Sequence, residues 1–148
     1  MTCRPLFSSN DCLAEEAHME ARKSPTTSTD EAAVVATVLD YFEGWFDGDP
    51  ARMERALHPE LAKRPAGVPG SLGTLTAQEM IDATASGVGR TRDVPDRQIE
   101  VKIVDLFGDI ASTVVRSAVY REYLHLVRTP EGWKIANALW QWMPGQER

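Results

Sequence analysis

Long apolar runs are missing from this sequence of 148 residues. No stretch approaches the roughly 20 consecutive apolar residues of a membrane span, so no membrane association is expected. Met1 to Pro25 holds no continuous apolar segment of the kind a secretory signal needs, and a cytoplasmic location is the expectation. Cysteine is scarce: Cys3 and Cys12 both precede the first strong element. They have neither CxxC spacing nor a neighbouring histidine cluster, so no metal site is expected. Positive charge is also short, with 16 Lys and Arg against 22 Asp and Glu for a net charge of −6. Arg22-Lys23 and Lys63-Arg64 are pairs and not a stripe, which argues against a nucleic-acid partner. There is no GxGxxG, Walker A, HExxH or GxSxG motif, and no cofactor is expected.

What remains suits one domain. The chain is 43% hydrophobic and 26% charged, which are ordinary globular values. A chain of this length buries roughly 68–70% of the surface its unfolded form exposes. Residues 1–27 are expected to be a poorly ordered or loosely docked leader, with a linker-like stretch at 24–28. Residues 28–148 are expected to be the domain.

Ser28 and Glu31 have capping-box spacing. Val35, Val38, Leu39, Phe42, Trp45 and Phe46 then recur with helical period, predicting a first helix that ends at Gly48. Asp49 and Pro50 open a second helix as N-cap and first helical residue, with Met53, Ala56 and Leu57 as its apolar face. His58-Pro59 closes it, because a residue before proline is pushed away from the α region. Residues 61–75, rich in proline and glycine, read as a connection. Thr76 and Glu79 form another capping box, with Leu75 and Met80 at hydrophobic-staple positions, and start a third helix. From Arg97 the period becomes two. Strands are expected at about 98–107, 110–115, 122–128 and 133–142. Gly108-Asp109, an unmarked turn within 116–121, and Pro130-Glu131-Gly132 separate them. Short connections imply an antiparallel meander, and the fold class is α+β.

Tyr41–Asp47, Leu57-His58-Pro59-Glu60-Leu61-Ala62-Lys63-Arg64, Gly108-Asp109-Ile110-Ala111, Glu122-Tyr123-Leu124-His125-Leu126 and Trp133-Lys134-Ile135 occur in an order that resembles the nuclear-transport-factor-2-like superfamily. Within it, the chain resembles the SnoaL-like and "putative lumazine-binding" groups. The resemblance covers about Asp30–Trp142. It implies a cone-shaped fold, a curved antiparallel sheet with three helices over its concave face and a hydrophobic pocket between. The superfamily includes isomerases, dehydratases, epoxide hydrolases, polyketide cyclases and non-catalytic subunits. The carboxylate and tyrosine arrangement of the ketosteroid isomerases has no match here, position by position.

Candidate residues depend on strand register. If Arg128 pairs with Trp133, Glu122 and Asn137 are the polar residues on a face otherwise made of Leu124, Leu126, Ile135 and Leu139. A one-residue slip exchanges the faces and brings His125 to the side of Asn137 instead. Under the first register Glu122 is a general-base candidate, since a carboxylate in an apolar pocket moves protons near neutral pH. Its bland alternative is a rim carboxylate paired with Arg116 or Arg121. His58 is either a proton shuttle at the pocket mouth or a helix C-terminal cap. Asn137 would orient a substrate or donate to an oxyanion, beside Leu139. Tyr41 and Trp45, one turn apart, are either core or an apolar wall for a planar ligand. Lys63 and Arg64 either meet an anionic group or are solvated. Trp140 and Trp142 share the other strand face and would need a cover; a homodimer through that face is the expectation.

The resulting expectation is a protein that binds a small hydrophobic molecule and acts as a cofactor-independent acid–base enzyme of the isomerase, dehydratase, cyclase or epoxide hydrolase type. The alternative is a non-catalytic dimeric ligand-binding or interaction module.

Overall fold

The computed structural model describes residues 28–147. By its contacts the chain divides into two units, residues 1–32 and residues 33–148. The expected leader at 1–27 lies outside the described residues. Residues 28–32 of the first unit are helical, so Ser28 is part of a helix and not its cap.

In the second unit helix α1 occupies residues 33–47. It buries Val34, Val38, Tyr41, Phe42 and Phe46, with Val35 and Leu39 only partly buried. These positions recur every three or four residues, the spacing that keeps a stripe on one helix face. Asp49 caps α2 (Pro50–Ala56), its carboxylate accepting from the Ala51 and Arg52 amides. Helix α3 (Ala77–Ala85) starts with the complete Thr76–Glu79 capping box. Such a cap stabilises a helix by about 1 kcal/mol. A 3-10 turn at Gly89–Arg92 follows.

The sheet has five strands in the order β1-β5-β4-β3-β2. Strands β2 (Glu100–Phe107), β3 (Ile110–Arg116), β4 (Tyr120–Thr129) and β5 (Gly132–Trp142) form the expected meander. The turn without glycine or proline is built by Ser117. Its hydroxyl accepts from the Val119 and Tyr120 amides, a serine turn in place of a backbone one.

Two features differ from the expected layout. Leu57–Pro65 is a strand, β1, and not a helix end followed by a connection. It pairs parallel with β5 and makes the sheet mixed. Between the pairs Leu57–Ile135 and Ala62–Asn137 lie four residues of β1 and one of β5, so the first half of β1 bulges. This explains how Pro59 is tolerated, since bulges and edge strands need no ladder hydrogen bond from every residue.

The second difference lies in β5. Leu126 pairs with Ile135, but His125 pairs with Asn137, which leaves Ala136 as an extra residue. A bulge of one residue inverts every side chain beyond it. Trp133 and Ile135 are buried on the helix side, and after the bulge Ala138 is buried there too. Asn137 and Leu139 are turned to the outer face, where Leu139 is 43% exposed. Trp140 and Trp142 are turned inward and pack against the core.

Helix α1 lies along this inner face. The Thr37 hydroxyl donates to the Trp133 carbonyl, Tyr41 reaches Glu122, and Trp45 reaches Tyr120. Each successive turn thus touches the sheet at a different point. Phe42, Phe46, Leu124, Leu126, Ile135 and Val115 fill the space between.

Candidate functional site

The inner ends of β1, β4 and β5 line a half-open cavity of about 170 Å³. Trp45, Tyr120, Trp140 and Trp142 form most of its wall, Leu75 and Met80 close one side, and Lys63 and Arg92 are its cations. Leu75 and Met80 are the staple pair of α3, so the contact that fixes the entry of that helix also shapes the cavity. Tyr120 orders the aromatic wall. It stacks on Phe46 with ring centroids 6.0 Å apart, meets Trp140 edge-on at 5.4 Å and lies 5.0 Å from Trp142. Its hydroxyl accepts from the Trp45 indole at 3.1 Å.

Gly89 sets the fourth side. A Cβ there would fall 2.0 Å from the Trp45 carbonyl oxygen, so only glycine lets the 3-10 turn approach α1 this closely. That approach carries Arg92 to the cavity, its guanidinium 4.9 Å from the Trp142 ring centre.

Behind Lys63 lies a buried polar cluster. Lys63, Glu122 and Tyr41 are 7%, 2% and 2% exposed. The Tyr41 hydroxyl donates to Glu122 Oε2 at 2.9 Å. Lys63 Nζ donates to the Tyr41 hydroxyl and lies 3.4 Å from Glu122 Oε1. The ammonium also sits 4.9 Å from the Tyr41 ring centre and 5.3 Å from that of Trp140. Backbone pairing holds it in place. Lys63 pairs with Ala138 in β5 and exchanges two hydrogen bonds with Leu75 on its other side.

Burial shifts these groups. It drives the Lys63 ammonium below the usual lysine range, and the nearby Glu122 carboxylate offsets this only in part. Burial first, and the charge and hydrogen bond of Glu122 after it, push the Tyr41 phenol well above its usual range. Tyr41 therefore stays protonated while Lys63 is more easily deprotonated than a solvated lysine.

The structure brings together only part of the expected site. Glu122, Tyr41 and Trp45 converge. Glu122 lies behind Lys63 and Tyr41, and it is Lys63 that lines the cavity. Arg64, the next residue of β1, points outward and donates to the Thr74 hydroxyl at 3.3 Å. Strand alternation separates this basic pair. His58 is neither a helix cap nor part of the cavity wall: its Nδ1 accepts from the Glu60 amide at 3.0 Å and braces the β1 bulge. Asn137 and Leu139 are removed from the pocket by the Ala136 bulge. Asn137 instead lies 3.4 Å from the His125 ring on the outer face. The same bulge removes the expected pairing surface, because Trp140 and Trp142 line the cavity and helices cover their face. On sequence alone Lys63 and Arg64 are two equivalent cations in a connection, whereas β1 sets them on opposite faces. The alternation of Leu61, Lys63 and Pro65 was the signal that β1 is a strand with Lys63 on its apolar side.

Among the described residues no group of His, Cys, Asp and Glu is placed to hold a metal ion, and no helix is long and apolar enough to cross a membrane. The family model described as "Putative lumazine-binding" matches residues 29–141. The chain belongs to that family. Solved structures show the same fold. An NTF2-like protein of unknown function from Silicibacter pomeroyi is 19% identical with a TM-score of 0.63, covering 79% of this chain and 98% of that one. One from Shewanella baltica is 17% identical with a TM-score of 0.63, covering 80% and 97%. An NTF2-like protein with a cystatin-like fold from Novosphingobium aromaticivorans is 18% identical with a TM-score of 0.64, covering 87% and 90%. No curated protein matches the chain. The family and these neighbours make it a cone-fold member of the nuclear-transport-factor-2-like superfamily.

Proposed function

We propose that this chain binds a small hydrophobic molecule in the aromatic cavity and transfers protons on it without a cofactor, as an enzyme of the isomerase or dehydratase type. The observation that carries this is the buried Lys63–Tyr41–Glu122 cluster opening onto an apolar wall through Lys63 alone. A buried ion pair is poor value as a stabilising device, since an apolar replacement of similar volume is often equal or better. Its presence beside a cavity therefore supports a chemical role. Lys63 is the group that meets the substrate, as general base when neutral and as donor to a carbonyl oxygen when charged. Tyr41 and Glu122 act through Lys63, as its support and its proton relay. They hold the amine in one place and connect it to a carboxylate that can balance its charge.

Deuterium uptake from D₂O at the carbon next to the carbonyl of 2-cyclohexenone, followed by NMR, tests the proposal. Wild-type protein should exceed the buffer rate and Lys63→Met should fall to it, while Glu122→Gln should retain a reduced rate. A rate equal to buffer, with the ketone bound, rejects catalysis. One observation favours that second, non-catalytic reading: both Glu122 oxygens already have partners, Tyr41 and Lys63. The chain would then be a ligand-binding module.

A further inference from the structure

The cavity is defined by size, by lining and by one nucleophile. Its 170 Å³ is close to the roughly 150 Å³ of a cavity that holds benzene, so a single ring fits. Four aromatic side chains supply flat apolar wall. Among the cavity-lining residues, Lys63 alone offers an amine. Glu122 and Tyr41 are behind it.

We infer that Lys63 is a nucleophile that condenses with a single-ring aldehyde or ketone in this cavity to form an imine. This rests on the reading above that the cavity is where a small molecule is handled, and it names the substrate class. The neutral amine attacks the carbonyl carbon, forming the C–N bond as the C=O π pair moves to oxygen. One proton passes from nitrogen to that oxygen, giving a carbinolamine. The proton that remains on nitrogen then passes to the hydroxyl, which leaves as water as the nitrogen lone pair closes the C=N bond of a neutral imine. No oxidant or reductant is involved. Tyr41 touches Nζ and is hydrogen-bonded to Glu122 Oε2, so this relay can take each proton from nitrogen in turn and deliver it to the oxygen. Burial favours the neutral amine that the attack requires. An iminium formed here acidifies the adjacent carbon, which is how covalent attachment would serve proton transfer.

The test is reductive trapping with benzaldehyde and sodium cyanoborohydride, followed by peptide mass mapping of the wild-type chain. The expected result is one benzyl group on the Lys63 peptide, little on Lys23, Lys102 or Lys134, loss of the label in Lys63→Met, and slower labelling in Glu122→Gln. Mapping the wild type needs no variant to fold. Label spread over the other lysines without preference for Lys63, or no label at all, overturns the inference. Tryptophan quenching by benzaldehyde and deuterium exchange in 2-cyclohexenone separate the two levels. If both persist without trapping, imine formation is rejected and proton transfer stands; if both are absent as well, the two readings fall together.

Discussion

The two faces of the sheet use similar residues to opposite ends. On the outer face His125 and Asn137 lie 3.4 Å apart, beside Tyr123 and Leu139, which are 50% and 43% exposed. On the inner face of the same two strands, Glu122 meets Lys63 and Tyr41 with almost no solvent contact. Water screens the outer pair and supplies any missing hydrogen bond. Inside, each polar atom depends on its neighbour, because an unpaired charge in a low-dielectric interior is costly. Polarity by itself therefore says little about function in this fold. The face decides, and a one-residue bulge decides the face.

The sharpest way to break the comparison is to remove one inner partner. Glu122→Ala should cost about 3–5 kcal/mol in urea unfolding, the usual penalty for leaving a buried charge alone. If the loss is below about 1 kcal/mol, the inner face is as tolerant as the outer one. The double variant Lys63→Met, Glu122→Leu should restore wild-type stability or exceed it by about 1–4 kcal/mol, while losing every activity assigned to the cavity. Next comes Gly89→Ala. The new methyl group must displace the Trp45 carbonyl, and overpacking of this kind costs about 1–3 kcal/mol. Altered tryptophan fluorescence should accompany it, since Trp45 lines the cavity.

A smaller effect is expected from acid. Asp40 accepts from Arg55 at 2.9 Å and Arg52 at 3.0 Å, and the Arg55 hydrogen bond leads in holding its carboxyl below the ordinary value of 3.8. A depressed carboxyl contributes stability above its unfolded value and loses it as pH falls through the folded one. Asp40→Asn should therefore flatten the pH dependence of stability below about pH 4, by no more than about 1 kcal/mol, because solvent screens an exposed cluster. The smallest change belongs to the outer face. Asn137→Ala and Leu139→Ser should each stay within about 0.5 kcal/mol and leave cavity binding intact. A loss of binding in either would place those residues back inside the cone.

Much of the architecture was legible before any coordinates. The α1 periodicity, the Asp49-Pro50 start, the Thr76–Glu79 box and the glycine turns are local signals, and local physics is what a sequence displays directly. Strand β1 was hidden because two prolines and a bulge mask its alternation, and because its partner is more than 70 positions away in the chain. The reversal within β5 did leave a trace. Its apolar residues fall on odd positions at Trp133 and Ile135, then on even ones at Ala138, Trp140 and Trp142. A phase change inside one strand is the signature of a bulge. Taken as one unbroken register, the same residues put Asn137 and Leu139 in the pocket and the tryptophans outside. Glu122, Tyr41 and Trp45 face inward under either register of β5, because β4 and α1 keep their phase. Lys63 was recoverable only with β1.

The bulge at Ala136 has a genetic consequence. Most single-base substitutions in the codons of β5 would change one side chain and leave the rest facing as they do. Loss of the Ala136 codon alone would only close the bulge: Asn137 would follow Ile135 directly and still pair with His125, so both tryptophans would keep facing inward and Asn137 and Leu139 outward. At this one point the strand can change its length without changing which side its letters face.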